Sequence, residues 1–240
     1  MGAVLLEVCV DTAEGFDAAI AGGADRIELC SALELGGLTP SPGLLRYAAN
    51  APIPVYAMVR PRPGDFIVGS GDLDVMRAEI DAIRSAGLTG VVLGASRPGG
   101  ALDDVTLRVL TAHAAGLGTT LHRAVDLVPD FDVAVDLAAD LGFERILTSG
   151  GARHAAEGMD TMARMIERAA GRILIMAGSG VRPANVGALL TRLPLTQVHA
   201  SCSAPARPTD EPAIRLGFAS PDGKQTSAQI VAELKQALSR

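Results

Sequence analysis

Leu5-Leu6-Glu7-Val8-Cys9-Val10-Asp11 opens the regular part of the chain, and Arg26-Ile27-Glu28-Leu29-Cys30 repeats its pattern after one Ala-rich segment. Both are of strand length, with aliphatic residues at every second position and acidic or thiol side chains between them. Successive side chains of a strand point to opposite faces. Leu6, Val8, Val10, Ile27 and Leu29 thus form an apolar face suited to covering helices. Glu7, Cys9, Glu28 and Cys30 fall on the other face, with Asp11 at its end. If the strands close into a barrel, that second face becomes the lumen.

Working outward, the alternation continues to the end of the chain. β-branched runs at about 5–10, 26–30, 55–60, 90–94, 119–124, 145–148, 172–177 and 197–200 alternate with segments of helical period. Glycines expected as helix C-caps follow several of these, at Gly22, Gly87, Gly116, Gly142 and Gly171. Strict alternation implies parallel strands with right-handed crossovers. Eight units of about 30 residues predict an α/β fold, a (β/α)8 TIM barrel, as a single domain over 1–240. Pro205, Pro208, Pro212 and Pro221 make 201–225 read as an irregular loop over one mouth, before a final helix at 226–240. Gly23-Ala24-Asp25-Arg26-Ile27 is echoed four units later by Gly142-Phe143-Glu144-Arg145-Ile146. The echo fits half-barrel duplication, or simply acidic–Arg pairs that stabilise the lower rim.

Composition narrows the function classes. With 27 acidic against 21 basic residues the net charge is −6, and there are five Phe, two Tyr and no Trp. That balance disfavours nucleic-acid tracking, which needs a cationic face and stacking platforms. No apolar run approaches the length of a membrane span, and no basic, secretory-type leader precedes Val4. Three cysteines, an odd number, read as thiols in a reducing cytoplasm.

The inward-facing polar residues converge on the C-terminal mouth, where barrel enzymes keep their sites. Arg60, Arg62 and Asp65 follow the third strand, His122, Arg123 and Asp126 the fifth, and His199 ends the eighth. Buried carboxylates such as Glu7 and Glu28 require a cation or a metal. The group reads either as a structural ion-pair network or as a catalytic set of Glu7, Glu28, Arg60 and His122. Cys9 and Cys30, on adjacent strands, read first as small core residues. About 5 Å apart, they are also spaced for two thiolates to share Cu(I), with Cys202 at the rim. Turns at Gly150-Gly151 and Gly178-Ser179-Gly180 offer backbone N–H groups to an anion, or are merely tight joints. His113 and His154, on helical segments, read as solvated surface groups.

The motifs Glu7-Val-Cys9-Val-Asp11, Gly22-Gly-Ala-Asp25-Arg26-Ile27-Glu28-Leu29-Cys30, Gly36-Gly-Leu38-Thr39-Pro40-Ser41 and Arg60-Pro-Arg62-Pro-Gly64-Asp65-Phe66 resemble the CutC family. His122-Arg123-Ala124, Ile146-Leu-Thr-Ser-Gly150-Gly151 and His199 extend the likeness, which runs from about Leu5 to Ser203. Val125, Ala177 and Ser179 depart from the family pattern, the last two in the second Gly-rich turn. The resemblance implies a TIM barrel, a cytoplasmic homo-oligomer (often a dimer) and a role in copper homeostasis, with copper held by cysteines at the positions of Cys9 and Cys30.

Two functions are therefore expected in competition. One is copper handling, with Cu(I) on Cys9 and Cys30 and Glu7, Glu28 or His199 as auxiliary groups. The other is an isomerase, epimerase or lyase acting on a small anionic metabolite such as a sugar phosphate. There Glu7 or Glu28 would serve as base, His122 as acid or electrophile, and Arg60 would face the developing oxyanion. Gly150, Gly151, Gly178, Ser179 and Gly180 would hold the phosphate.

Overall fold

The computed structural model describes residues 4–206 and 210–239. Eight parallel strands close into one barrel in sequence order: β1 (Leu5–Val10), β2 (Arg26–Leu29), β3 (Val55–Met58), β4 (Gly90–Leu93), β5 (Gly118–Leu121), β6 (Arg145–Thr148), β7 (Leu174–Ala177) and β8 (Gln197–Ala200). Seven helices pack between and around them: α1 (Ala13–Ala21), α2 (Pro42–Ala48), α3 (Ser70–Ser85), α4 (Asp104–His113), α5 (Phe131–Asp140), α6 (Met159–Ala169) and α7 (Val186–Arg192). The expected (β/α)8 barrel is present.

The alternation read from β1 and β2 holds. Leu6, Val8, Val10, Ile27 and Leu29 are buried in the outer core between strands and helices. Glu7, Arg26, Glu28, Thr120, Arg145, Gln197 and His199 are buried polar residues. Register, however, corrects one expectation. The Cα partner of Cys9 on β2 is Glu28, not Cys30, and Glu7 faces Arg26 on one side and His199 on the other. Barrel closure staggers neighbouring strands, so Cys30 lies one inward-facing position above the level of Cys9. It packs instead with Tyr56, Met58 and Val92.

One further reading changes. The stretch after β8 is not wholly irregular. β9 (Ser203–Pro205) pairs antiparallel with β10 (Lys224–Thr226), and a short helix, α8 (Glu211–Arg215), lies between them before α9 (Ala228–Leu238). Two three-residue strands so far apart carry no periodicity to read, and Pro205 tolerates only an edge. Pro208 lies outside the described residues. At the end of α1, Gly22 is the C-cap as expected, and Gly23 (φ +90°) follows it with the left-handed residue. A Cβ on Gly22 would come within 2.5 Å of Val231 Cβ, so its role is to let α9 pack closely.

Glycine also shapes the lumen. Tyr56 crosses the barrel floor between the guanidinium groups of Arg26 and Arg145, 5.4 and 4.6 Å from its ring centre. Any side chain at Gly90 would collide with that ring, the added Cβ lying 2.3 Å from Tyr56 Cε1. Gly90→Ala should therefore destabilise the barrel by about 1–3 kcal/mol through overpacking. Gly187→Ala, in α7 with nothing near the added carbon, should stabilise it by about 0.5–1 kcal/mol. Denaturant unfolding of the two variants checks both signs.

Candidate functional site

Glu7, with no exposed surface, anchors the site. Arg26 Nε donates to Glu7 Oε2, and His199 Nδ1 donates to Glu7 Oε1 at 2.9 Å. Arg26 also donates to Gln197 Oε1 at 2.6 Å, which locks the guanidinium across the floor. Burial alone would raise the Glu7 pKa, but the His199 hydrogen bond and the Arg26 charge outweigh it and bring it down to about 2. With Nδ1 committed, His199 turns Nε2 toward Glu28 Oε2, 3.6 Å away. Burial opposes charge on this imidazole, yet Glu28, Cys9 and Glu7 together hold its pKa well above the ordinary value.

Cys9, Glu28 and His199 form a compact group. One donor atom from each lies within 4.8 Å of the other two, and all three residues are buried. Burial raises the Cys9 thiol pKa against the pull of His199. Burial, reinforced by the Glu7 charge, likewise raises that of Glu28. Glu28 Oε2 also accepts the Cys30 S–H at 3.6 Å, while Oε1 has no partner. Cys30 is thus tied to Glu28 rather than joined to the group, its pKa pushed well up by burial and by Glu28. Cys202 is buried after β8 with its thiol raised to about 12, chiefly by burial.

A second cluster faces the lumen from β3 and β5. His122 Nδ1 accepts the Ala124 N–H at 3.2 Å, which leaves the ring proton on Nε2; that atom has no partner. Burial and the nearby Arg60 charge lower its pKa to about 3, so the ring is neutral. Gly94 makes room for it, since a Cβ there would lie 2.4 Å from His122 Cε1. Arg60 donates to the carbonyls of Leu35, Gly37 and Gly64. It lies over Phe66, 5.0 Å from the ring centre, and Phe66 packs 4.8 Å from the His122 ring.

Both clusters line one cavity of about 990 Å³ at the C-terminal mouth, bounded above by 202–206 and 221–224. Ser179 and Gly180 reach it, and the N–H groups of Ser179, Gly180 and Val181 have no acceptor among the described residues. The other expected anion turn is already filled. Asp126 accepts from the N–H groups of Ser149 and Gly151, both at 3.1 Å, while Gly150 N donates to Thr148 Oγ1. Gly178 N bonds Thr148 O. Arg123 reaches the cavity, but its guanidinium is held by Asp126 and Ser149. Asp11 accepts the Leu33 N–H and stands outside the lining. Arg62 pairs with Asp65 and Asp72, both at 2.9 Å, over a separate small crevice, so Arg62 and Asp65 do not join the mouth.

Other residues of the site escaped the sequence reading. Arg26, Tyr56, Arg145 and Gln197 build its floor. His154 is exposed, as expected of a solvated group, but it precedes a 3-10 turn (Ala155–Glu157) instead of lying on a helix, and it lines the open mouth of the cavity, as do Arg182 and Lys224. Alternation from β2, β3, β6 and β8 would have placed the floor residues inward; nothing local marked the other three. His113, by contrast, ends α4 and meets Asp81 at the surface.

The fold and site together define a (β/α)8-barrel protein with a charged, thiol-bearing pocket at its C-terminal mouth. Residues 4–204 match the CutC family. The CutC family protein of Rhizobium meliloti (strain 1021) is 57% identical over 238 residues, covering 99% of this chain and 97% of its own. That of Caulobacter vibrioides (strain NA1000 / CB15N) is 56% identical, with coverage of 98% and 97%. This chain belongs to the CutC family. The crystal structure of CutC from Streptococcus agalactiae, described provisionally as a copper homeostasis protein, superposes with a TM-score of 0.78 at 29% identity. It covers 82% of this chain and 98% of that one. Phosphoribosyl anthranilate isomerase from Thermotoga maritima shares the fold alone, with a TM-score of 0.62 at 13% identity and coverage of 98% of each chain.

The Glu7 cluster sets a pH dependence. A carboxyl held near 2 against an ordinary 4.5 contributes stability that is present above 4.5 and lost as the pH falls toward 2. His199, raised from 6.5, contributes stability that is full below 6.5 and lost as the pH climbs through its folded value. Glu7→Gln strands Arg26 and His199 and should cost about 3–5 kcal/mol at neutral pH. It should also flatten the acid limb of stability, as urea unfolding at a series of pH values would show.

Proposed function

We propose that Cys9, Glu28 and His199 form a metal centre and that copper is its ion, in keeping with the role for which the family is named. The observation that carries this reading is the Glu7–His199 hydrogen bond beside Cys9. A carboxylate that fixes one imidazole nitrogen and frees the other toward a metal is the usual support of a histidine ligand. The donors fit copper: a thiolate suits Cu(I), an imidazole suits copper in either state, and the orphaned Glu28 Oε1 offers an oxygen. The expected partnership of Cys9 with Cys30 gives way to one with His199, because Cys30 donates to Glu28. A reducing cytoplasm would keep these thiols in the required state. No helix among the described residues is long and apolar enough to cross a membrane.

A second reading, proton-transfer chemistry on a small metabolite, draws on the size of the cavity. About 990 Å³ is metabolite scale and far exceeds the needs of one ion. In that reading Glu28 is the base, since both Glu7 oxygens are committed and Glu28 keeps one free.

Titration of reduced protein with Cu(I) against a competing chelator tests the metal centre. One equivalent should bind, Cys9→Ser and His199→Asn should each weaken it by about a hundredfold or more, and Glu7→Gln by about 10–100-fold. Cys30→Ser should change affinity little. Binding untouched by Cys9→Ser would end the reading. Loss in Cys30→Ser alone would return the ion to a thiol pair.

A further inference from the structure

Arg60 is buried, with 8% of its surface exposed, and has no carboxylate partner among the described residues. Its terminal nitrogens are spent on three backbone carbonyls, which orient the guanidinium without neutralising it. Nε has no partner among the described residues. A buried, unpaired cation is costly, and the carbonyl dipoles offset only part of that cost. Beside it, across the Phe66 ring, the His122 imidazole is fixed by the Ala124 N–H and by the vacancy at Gly94. It presents a second buried donor, Nε2–H, that nothing accepts. Arg60 has no acceptor to give in exchange, and the one on His122 is taken by the Ala124 N–H. Two residues that line the cavity therefore carry one positive charge and buried N–H donors that no group among the described residues accepts.

We propose that Arg60 and His122 form an oxyanion subsite that takes the carboxylate or phosphate group of a small metabolite lodged in the cavity. Neither residue belongs to the Cys9–Glu28–His199 group, so the subsite stands independently of the metal reading. Its elements are β3, β5 and the loops that follow them, on the side of the lumen away from β8. An oxyanion there would satisfy the spare donors and balance the guanidinium. A neutral imidazole donor would add directionality without a second charge. The volume left over would hold the remainder of a metabolite-sized molecule.

The test uses full-length protein labelled with ¹⁵N and prepared without added metal, titrated separately with glycolate, malonate and inorganic phosphate. At least one probe should saturate, and the His122 Nε2 and Arg60 Nε resonances should move with it. A shift with the carboxylates alone assigns the subsite to a carboxylate, and a shift with phosphate alone to a phosphorylated metabolite. His122→Asn keeps an oxygen to cap Ala124 but removes the ring N–H, and should weaken the saturating probe about tenfold or more. Probe binding is read in metal-free protein and Cu(I) binding in a separate titration of the same preparation, which separates failure of the subsite from failure of the metal centre. No saturation by any probe, no shift at the two nitrogens, or full binding in a folded His122→Asn protein overturns the proposal. The two nitrogens are read in the wild type, so the outcome does not depend on whether the variant folds.

Discussion

A carboxylate enclosed by a barrel has no water to share its charge, and Glu7 shows what the surrounding structure must supply. Arg26 holds one oxygen, His199 the other, and Gln197 braces the arginine from β8. Removing Glu7 would leave two buried cations uncompensated, which costs more than the intact network contributes. The network is therefore better understood as a positioning device than as a source of stability. It sets which nitrogen of His199 is free, and so which face of the ring meets Glu28 and Cys9. The floor beneath obeys the same constraint. Two guanidiniums stack on Tyr56, whose hydroxyl donates to Glu144, and glycines at 90 and 118 leave room for its ring.

Above that floor the charges segregate. β1, β2 and β8 carry the acidic and thiol groups, with His199 among them. The side toward β3 and β5 carries Arg60 and a neutral His122, donors without acceptors. Met58 and Leu147 add apolar lining to the same cavity. A cavity with an acceptor-rich wall and a donor-rich wall is polarised, and a molecule that bridges it must carry complementary ends. A bare cation would use one wall only.

Much of this was legible in the sequence, because period-two alternation needs no knowledge of neighbours. Leu6-Glu7-Val8-Cys9 and Ile27-Glu28-Leu29-Cys30 sort into outer and inner faces from their own chemistry, and the eight-fold repeat follows from spacing. Register is different, since it depends on how far closure shears one strand past the next. That single unknown moved the partner of Cys9 from Cys30 to Glu28. Loop geometry was equally hidden. Gly150-Gly151 has the composition of an anion turn, but Asp126, about two dozen residues earlier, already supplies the anion. His154 carries no local mark of a pocket residue because its position depends on Gly180, where a Cβ would lie 2.8 Å from its Nδ1.

Charge balance connects the raised thiol to the choice of ion. Glu7 and Arg26 cancel, so the inner group is left with Cys9, Glu28 and His199. Without a metal, burial favours the proton on the Cys9 sulfur and raises the Glu28 pKa, while the surrounding Glu28, Cys9 and Glu7 favour the proton on the imidazole against burial. A monovalent ion that displaces the protons of Cys9 and His199 leaves the group neutral only if Glu28 keeps its own. On the proposed reading Glu28 would then remain a protonated neighbour rather than a ligand, and sulfur and nitrogen would hold the ion. A divalent ion reaches neutrality only when Glu28 ionises as well, which brings its oxygen into the coordination shell. The same three side chains can therefore present a soft two-donor site or a harder three-donor site, and the Glu28 proton decides between them. Burial raises the Glu28 pKa, so on the proposed metal reading the lumen would favour a monovalent ion held through sulfur.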